Sequence, residues 1–347
     1  MKNFIGNCII EEQASFLHGR SMSDHVLLAH EVFHKMKISK RKKGFLAVKL
    51  DMEQAYDSMC WETLFQALNM FGFPMKLTMI IMECIRNAIF AFILNGKNSK
   101  WIITENGFRQ GCPLSPFLYV ICSQLLSLAI AQRGQDLGIQ VYCRANKISH
   151  LLFADDVLLF SKATKQLSVK MNKIVRDFCS WTGLRINVSK SQILFSKGMN
   201  RVDRIHVLKI LKFKLVDEFQ YLGIKLMLRR PLKADFKFLL DSILMKLNSW
   251  GSKCLSLAGR MTLAKSSLLT LPNFISTHSL VPKKILYEID KCCRNFIWHK
   301  RDGKKGMHFI AWKTLCKPKA QGGLNFHSAI SRSDPLTARL TWRLIQN

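Results

Sequence analysis

The sequence is poor in acidic residues. Its 347 residues include 23 aspartates and glutamates but 53 lysines and arginines, which gives a formal net charge of +30 at pH 7. An excess of this size indicates a polyanionic partner, because lysine and arginine gain affinity by releasing counterions from phosphates. An anionic membrane surface is the rival partner, but the sequence shows no amphipathic terminal helix and no lipidation signal that would support it.

A secretory signal peptide and a membrane-spanning run are also lacking. The most apolar stretch, residues 114–131, contains Ser115, Gln124 and Ser127. Polar side chains at these positions favour a helix buried in a protein core over a helix that crosses a bilayer. We therefore expect an intracellular protein without a membrane partner.

The eleven cysteines lack the close pairing that a zinc site requires. They are scattered along the chain, and the adjacent Cys292 and Cys293 have poor geometry for binding one metal together. We therefore expect reduced thiols rather than a zinc site or a disulfide framework.

Two adjacent carboxylates, Asp155 and Asp156, stand between the apolar blocks 151–153 and 157–160. Each block predicts a short buried strand, and the two acids then form the tip of a β-hairpin, because aspartate tolerates turn backbone angles. A plain turn with two solvated acids is the alternative. The apolar flanks, however, hold the acids at the edge of a core, where adjacent like charges are costly unless a cation lies between them.

A further acid, Asp51, follows the mostly apolar run 45–50, which predicts another strand. If this strand lies beside the hairpin, Asp51 and Asp155 meet at neighbouring strand ends. Carboxylates in this arrangement can hold two Mg²⁺ ions about 4 Å apart, as in polymerases and nucleases. The sequence therefore predicts a metal site for phosphoryl transfer.

Five blocks of the chain resemble, in the same order, the motifs of reverse transcriptases from non-LTR (LINE-type) retrotransposons, most of all those of plants. The blocks are Leu50 to Asp57 (LDMEQAYD) followed by Trp61, Gly107 to Pro116 (GFRQGCPLSP), Phe153 to Asp156 (FADD), Gly183 to Asn187 (GLRIN) through Lys190 and Ser191, and Tyr221 to Gly223 (YLG). One such block would be a weak signal, whereas five in order over most of the chain are a strong one.

The resemblance implies an α+β fold of the polymerase right-hand type. Residues 1–228 would form a reverse transcriptase domain, with partial fingers and a palm whose antiparallel sheet carries helices on one face. From residue 229 to 347, apolar residues at helical spacing in 236–250, 260–271 and 285–298 predict a helical unit. By resemblance this unit is the thumb, with a basic C-terminal region. Aromatics among its cations suit either single-stranded nucleic acid or core packing.

By the same resemblance the protein is an RNA-directed DNA polymerase, a nucleotidyltransferase. It would extend a DNA primer on an RNA template, using deoxynucleoside triphosphates. Asp51, Asp155 and Asp156 would be the catalytic residues and would hold two Mg²⁺ ions, with Mn²⁺ as an alternative metal. Asp51 and Asp155 would bridge both ions, whereas Asp156 would support the hairpin or touch one metal.

The resemblance also implies a set of substrate-binding residues. The nucleotide-binding positions are Tyr56, Gln110, Gly111, Lys190 and Arg20, and the primer-grip positions are Tyr221, Leu222 and Gly223. Tyr56 would reject the 2′-hydroxyl of ribonucleotides, and Gln110 with Gly111 would let the backbone approach the templating base. Lys190 and Arg20 would meet the triphosphate, although exposed surface positions explain both equally well.

Three further features bear on function. The basic run from Lys35 to Lys43 suits a solvated loop, template phosphates or a nuclear address, and we expect the protein to be nuclear. Asp57 is expected to be a structural acid where a strand meets a helix. Asn95 and Gly96 stand between the apolar runs 92–94 and 101–103, which predicts a hairpin.

The chain departs from the family pattern in a few places. Gln54 replaces the usual lysine and Cys112 replaces the usual aspartate, and neither is a metal ligand in this scheme. The block that starts at Gln13 lies close to Met1, so we expect an N-terminally truncated member. Two alternatives stay open: a catalytically inactive nucleic-acid-binding remnant, and a group II intron-type maturase, which shares the palm.

Overall fold

The computed structural model describes residues 5–6, 8–39, 43–86, 88–250, 255–299 and 306–346. Lys40 to Lys42 of the basic run and residues 300–305 lie outside the described residues. The main helices are α1 (Met22–Ile38), α2 (Trp61–Met70), α3 (Met75–Ile85), α4 (Ser115–Arg133), α5 (Lys165–Thr182), α6 (Arg201–Leu211), α7 (Lys237–Trp250), α8 (Leu257–Leu263), α9 (Leu271–His278), α10 (Lys283–Ile297), α11 (Trp312–Leu315) and α12 (Ala329–Gln346). The strands are β1 (Phe45–Leu50), β2 (Met52–Glu53), β3 (Ile89–Phe90), β4 (Ile93–Leu94), β5 (Lys97–Asn98), β6 (Ile102–Ile103), β7 (Ile139–Gln140), β8 (Lys147–Ile148), β9 (His150–Phe153), β10 (Asp156–Lys162), β11 (Arg185–Ile186), β12 (Gln192–Phe195), β13 (Lys214–Leu215), β14 (Glu218–Tyr221) and β15 (Ile224–Met227).

A five-stranded sheet in the order β13-β12-β1-β10-β9 forms the centre of the fold. Strand β1 is antiparallel to both of its neighbours, and its end pairs Leu50 with Val157 of β10. The strand is apolar at five of its six positions, with Lys49 as the exception. Such a run is expected where a strand is covered on both faces.

The two faces of the sheet pack against different elements. Leu46, Val48 and Leu50 belong to one apolar cluster with side chains of α4 and α5. Phe45 and Ala47 belong to a second cluster with side chains of α1, β14 and β15. The prediction of helices on one face only is therefore wrong: α1 covers the other face, because β1 alternates apolar side chains toward both sides.

The expected turn at Asn95–Gly96 is confirmed, but its strands differ from the prediction. Asn95 and Gly96 both have positive φ, as a type I′ turn requires. A two-residue turn pairs the residues next to it, so Leu94 pairs with Lys97. The run 101–103 lies too far along the chain for that register, and Ile103 pairs instead with Ile89.

Helix α4 is the one helix of the described residues that is long and apolar enough to cross a membrane by length and composition. In the structure 67% of its most apolar window is buried, and its side chains join the core beneath the sheet. The predicted burial of this helix is therefore confirmed.

The ten cysteines of the described residues are free.

The chain divides into two compact units, one of residues 1–222 with 226–229 and one of residues 223–225 with 230–347. The assignment of residues 1–228 to fingers and palm, and of 229–347 to a thumb, stays a prediction.

The second unit is helical. A single helix over 260–271 was expected, but α8 ends at Leu263, a π-helical turn covers 264–268, and Pro272 stands in the first turn of α9. Proline is well placed there, since the first turn needs no amide donor from it.

Candidate active site

The Asp155 hairpin differs in one respect from the predicted one. Phe153 pairs with Asp156, so the two loop residues are Ala154 and Asp155, and Asp156 is the first residue of β10. Ala154 has φ +53°. The expectation that both acids form the tip is therefore wrong. Asp155 lies in the loop, whereas Asp156 is already paired with Phe153 in the strand. The residue with positive φ is an alanine, which carries a steric cost there.

Asp51 directly follows β1 and lies beside the hairpin. Since Leu50 pairs with Val157, Asp51 is one step beyond the last pair, at the end of the sheet where the hairpin turns. Its backbone is fixed on the other side as well. The Asp51 amide donates to Ser191 Oγ at 3.1 Å, and its carbonyl accepts from the amide of Asn187 at 2.8 Å. The block from Gly183 to Ser191 therefore holds Asp51 in place.

The carboxylates of the site influence one another. The pKa of Asp155 is raised, first by partial desolvation and then by the neighbouring charges of Asp156 and Asp51, while Lys49 opposes the shift. Asp155 is nevertheless solvent-exposed at the hairpin tip. Negative charges have been gathered at an accessible strand end, where a bound cation would relieve their repulsion.

Asp156 has a cationic partner that the sequence did not suggest. Lys49 Nζ lies 3.0 Å from Asp156 Oδ1 and also donates to the Gln220 carbonyl at 2.7 Å. Lys49 thereby links β1 and β10 to β14. Its position in an apolar strand was the signal that could have revealed it, since a lysine there needs a partner.

The donor set fits a divalent cation only in part. Within the described residues, no group of three or more His, Cys, Asp or Glu side chains is arranged to hold a metal. Asp51 and Asp155 offer hard oxygen donors, while one Asp156 oxygen is held by Lys49. Mg²⁺ is commonly bound by one or two carboxylates, with waters and substrate phosphates filling the remaining positions. The carboxylates of Asp51 and Asp155 therefore fit this ion, and the role of Asp156 as a ligand stays a prediction.

Tyr56 lies next to these acids. Its ring stacks on that of Tyr119, with centroids 4.9 Å apart and planes at 18°. The pKa of Tyr56 is raised, first by burial and then by the charge of Asp155. Because Tyr119 is buried and fixes the ring from behind, Tyr56 presents a rigid surface close to the Asp155 carboxylate.

The loop from Gly107 to Gly111 is docked on the segment that follows Asp51. Gly107 has φ +84°, and a Cβ at this position would lie 2.4 Å from the carbonyl oxygen of Asp57, so only glycine fits. Gln110 Nε2 donates to both Asp57 carboxylate oxygens, at 3.2 and 3.3 Å. Asp57 therefore orients Gln110. A Cβ added at Gly111, where φ is +86°, would meet no heavy atom within 4 Å, so a ligand has free access there.

A buried relay that the sequence did not reveal supports the hairpin. The Ala154 amide donates to Ser15 Oγ at 2.9 Å, and Ser15 Oγ donates to Gln13 Oε1 at 2.8 Å. Gln13 Nε2 in turn donates to Ser123 Oγ in α4 at 3.2 Å. Gln13 and Ser15 are at most 1% exposed. Side chains from two distant parts of the chain, residues 13–15 and Ser123, thus fix the turn that carries Asp155.

The remaining predicted residues take different places. The Arg20 guanidinium donates to the carbonyls of Ile9, Gln13 and Ile10, the first two at 2.5 Å, which gives it a structural role. Its predicted contact with a triphosphate stays a prediction. Lys190 is exposed, and its amide donates to Asn187 Oδ1 at 3.1 Å.

The residues predicted to form the primer grip lie at a second hairpin turn. Leu222 and Gly223, the two loop residues between β14 and β15, have φ +48° and +78°. Tyr221 is fully buried, and its pKa is raised by burial and then by Asp156. Strand β14 is therefore linked to the Asp155 hairpin, through the effect of Asp156 on Tyr221 and through the contact of Lys49 with Gln220. The primer-grip role of residues 221–223 stays a prediction.

Comparison with known proteins shows what this chain is similar to. The family described as reverse transcriptase (RNA-dependent DNA polymerase) matches residues 1–226. The chain is 24% identical over 344 residues to the transposon TX1 uncharacterized 149 kDa protein of Xenopus laevis, covering 93% of this chain and 24% of that protein. It is 28% identical over 187 residues to the retrovirus-related Pol polyprotein from type-2 retrotransposable element R2DM of Drosophila melanogaster, covering 50% and 17%.

A third relative is the retrovirus-related Pol polyprotein from type-1 retrotransposable element R2 of Popillia japonica, with 31% identity over 127 residues, 36% of this chain and 20% of that protein. The chain thus spans less than a quarter of each of these relatives. Among solved structures, apo telomerase from Candida tropicalis aligns over 90% of this chain and 56% of its own, with 13% identity and a TM-score of 0.46.

Proposed function

The chain belongs to the reverse transcriptase (RNA-dependent DNA polymerase) family, and we propose that it is the RNA-directed DNA polymerase of a non-LTR, LINE-type retrotransposon. The observation that supports this most directly is the meeting of Asp51 and Asp155 at one end of the central sheet, close enough for the charge of Asp51 to raise the pKa of Asp155. The relatives that come from named retrotransposable elements support the assignment to a retrotransposon.

The proposed reaction is attack of a primer 3′-hydroxyl on the α-phosphorus of a deoxynucleoside triphosphate. A bond from the 3′-oxygen to phosphorus forms, the bond from phosphorus to the bridging oxygen breaks, and pyrophosphate leaves. Members of this family generally use divalent metal ions. Two Mg²⁺ or Mn²⁺ ions held by Asp51 and Asp155 would lower the pKa of the attacking hydroxyl and neutralise the leaving group.

The other site residues would select and position the substrates. Tyr56, fixed by Tyr119, would stand against C2′ of the sugar and exclude a ribose hydroxyl. Gln110, oriented by Asp57, and the open backbone at Gly111 would meet the templating base. Lys190 would meet the triphosphate, and the turn at 221–223 would support the primer end.

RNA template and DNA primer are the proposed partners. The net charge of +30 supports this proposal, because binding to phosphates releases counterions. Such binding should weaken steeply as salt is raised. A nuclear location, where the DNA target of a retrotransposon lies, is part of the proposal.

The decisive experiment is primer extension on poly(rA)/oligo(dT) with Mg²⁺, comparing the unmodified chain with Asp155→Asn. This change keeps the size of the side chain and removes one charge, so extension should fall by about 100-fold or more. Template–primer binding should stay unchanged, because phosphate contacts come from lysine and arginine. Asp136→Asn is the matched control: it removes the same charge from an exposed aspartate paired with Lys170, at 2.7 Å.

Each outcome separates the hypotheses. Robust extension by Asp155→Asn would remove the catalytic role from Asp155. An unmodified chain that binds but does not extend would favour the non-catalytic remnant instead.

The same assay tests the sugar gate. Tyr56→Ala should let ribonucleotides be incorporated while deoxynucleotide use is largely kept, because removal of the ring opens space for one hydroxyl. Incorporation ratios for ribo- and deoxynucleotides measure this. Unchanged discrimination would show that Tyr56 only packs on Tyr119.

A further inference from the structure

The helical second unit contains a pocket that no step of the proposed reaction uses. One wall is the face of α10 that carries Tyr287, Lys291 and Arg294, and the other includes Trp312, Lys313 and Lys317. Its volume is about 510 Å³. Pockets for small molecules and cofactors span ~300–1,000 Å³, so this one is large enough for a nucleotide.

A buried acid ties the α10 wall of the pocket to the start of α12. Asp290 is 5% exposed, and its Oδ2 accepts from Ser328 Oγ at 2.6 Å while its Oδ1 accepts from the Ala329 amide at 2.8 Å. Burial raises the pKa of Asp290, and these hydrogen bonds oppose the shift. Because α12 begins at Ala329, the carboxylate ties α10 to the start of α12. The pocket is therefore a fixed part of the fold.

The lining attracts anions. Positions 287, 291 and 294 follow helical spacing, so their side chains share one face of α10. Of the described residues that line the pocket, Asp290 is the one carboxylate, and its oxygens already accept hydrogen bonds from Ser328 and Ala329. Arg294 Nε is buried and has no hydrogen-bond partner in the described part of the chain. Four cationic side chains thus line this space, and one of them, Arg294, has an N–H donor without a partner in the described part of the chain.

Two aromatic side chains, Tyr287 and Trp312, also line the pocket. Tyr287 is 55% exposed, whereas Leu286 and Ile289 beside it on α10 are buried, so the Tyr287 ring is open to a ligand. Trp312 is partly buried and contacts Phe326, with ring centroids 5.7 Å apart. A phosphate would use the cations but not the rings, and an apolar ligand would use the rings but not the cations. A nucleotide uses both.

We propose that this pocket binds a nucleotide unit of a single-stranded nucleic acid, with the phosphate on the cationic side chains and the base on Tyr287 and Trp312. The site goes beyond the polymerase reaction, since it would bind whether or not Asp155 catalyses. The strand is either RNA or DNA, which share this chemistry.

The test is the binding of labelled oligo(dT), oligo(rU) and an abasic strand of equal length, measured by fluorescence anisotropy without Mg²⁺ or nucleotides. The double variant Lys313→Glu/Lys317→Glu should weaken binding of all three strands by about 10-fold or more, because two phosphate contacts become repulsive. The matched control is Lys283→Glu/Lys284→Glu, which makes the same charge change on exposed lysines of α10 outside the pocket. This control variant should weaken binding of the three strands much less than Lys313→Glu/Lys317→Glu does.

Tyr287→Leu tests the base. Stacking on an aromatic side chain contributes about 5- to 150-fold in affinity per base, so oligo(dT) and oligo(rU) should bind more weakly while the abasic strand is unaffected. Tyr287 is exposed, so folding should be kept, and an unchanged thermal transition verifies this. A larger loss for oligo(rU) or for oligo(dT) identifies the bound strand as RNA or DNA.

Two results would overturn the proposal. Equal losses from the two lysine pairs would show general attraction to a basic surface. Equal losses for abasic and normal strands in Tyr287→Leu would show that no base enters the pocket. Neither result depends on extension, so failure here is distinct from failure of the proposed polymerase.

Discussion

Two hairpin turns in this chain solve the same backbone problem with different residues. Each has a two-residue loop whose first residue is not glycine but has positive φ, Ala154 at +53° and Leu222 at +48°. In the turn at 222–223 the second residue is Gly223, which accepts positive φ without cost. In the turn at 154–155 the second residue is Asp155, the proposed metal ligand, and no glycine is present.

The difference shows where support for a strained turn comes from. The turn at 222–223 draws part of its stability from glycine, a local property of the sequence. The turn at 154–155 depends on Ser15, which accepts the Ala154 amide from about 140 positions away in the chain. A conformation that costs free energy persists when its surroundings fix it, and such positions cluster at functional sites.

The largest effect is expected when the support is removed. Ser15→Ala leaves the buried Ala154 amide without an acceptor, which should lower the free energy of unfolding by about 1–3 kcal/mol. It should lower kcat for primer extension more than it raises KM, because Asp155 shifts while the nucleotide contacts stay. Denaturant unfolding and steady-state kinetics measure the two effects.

The matched control is Ser99→Ala. Ser99 Oγ accepts the amide of Phe92 at 2.8 Å, the same kind of bond at an exposed position. Water can replace this acceptor, so the loss should stay within about 0.5 kcal/mol. If both serines cost the same, burial of the Ala154 amide is not what makes Ser15 important.

A smaller effect is expected when strain is relieved within the turns. Ala154→Gly should raise the free energy of unfolding by about 0.5–1 kcal/mol, since glycine accepts positive φ and only a methyl group is lost. Leu222→Gly relieves similar strain but also removes a partly buried side chain, so its net gain should be smaller or negative. Thermal unfolding of both variants decides this. Destabilisation by Ala154→Gly would show that the alanine methyl group packs usefully.

The smallest effect concerns pH. The folded-state pKa of Asp155 is raised, so the native state holds this proton more tightly than the unfolded chain. Without divalent ions, the stability contributed by Asp155 is greatest below its ordinary pKa of about 3.9 and declines as pH rises toward the raised folded value. The decline should be small, because an exposed carboxylate is screened.

Asp155→Asn should remove this pH slope, and Leu222→Gly should leave it unchanged. Unfolding measured across the acid range, in chelator, provides the comparison. A slope that survives in Asp155→Asn would belong to another group.

Local patterns predicted the parts of the site that depend on local structure. Apolar runs located β1 and β10, and the acids at their ends, because strand period and burial are properties of short segments. The Asn95–Gly96 turn was predicted because its dihedral angles need those residue types.

The rest of the site depends on contacts that no short segment specifies. Ser15 contacts Ala154 because a bridge pairs Gln13 with Leu152 of β9. Arg20 contacts backbone carbonyls that only the folded loop brings together, and the residues next to it in the sequence do not indicate these contacts. Positive φ at Ala154 has no sequence signature, since alanine usually avoids it. The roles of the site residues themselves stay predictions.

The central position of β1 has a consequence for how the chain is made. This strand leaves the ribosome before both of its partners, since β10 lies about 110 residues further along and β12 further still. At ~5–20 residues per second, β1 waits roughly 5–20 s before either edge can be paired. Helix α1 is already complete and can shield Phe45 and Ala47, but both edges and the opposite face stay open. The nascent chain therefore exposes an unpaired, aggregation-prone strand during synthesis. Lower growth temperatures or a bound chaperone should raise the yield of folded protein.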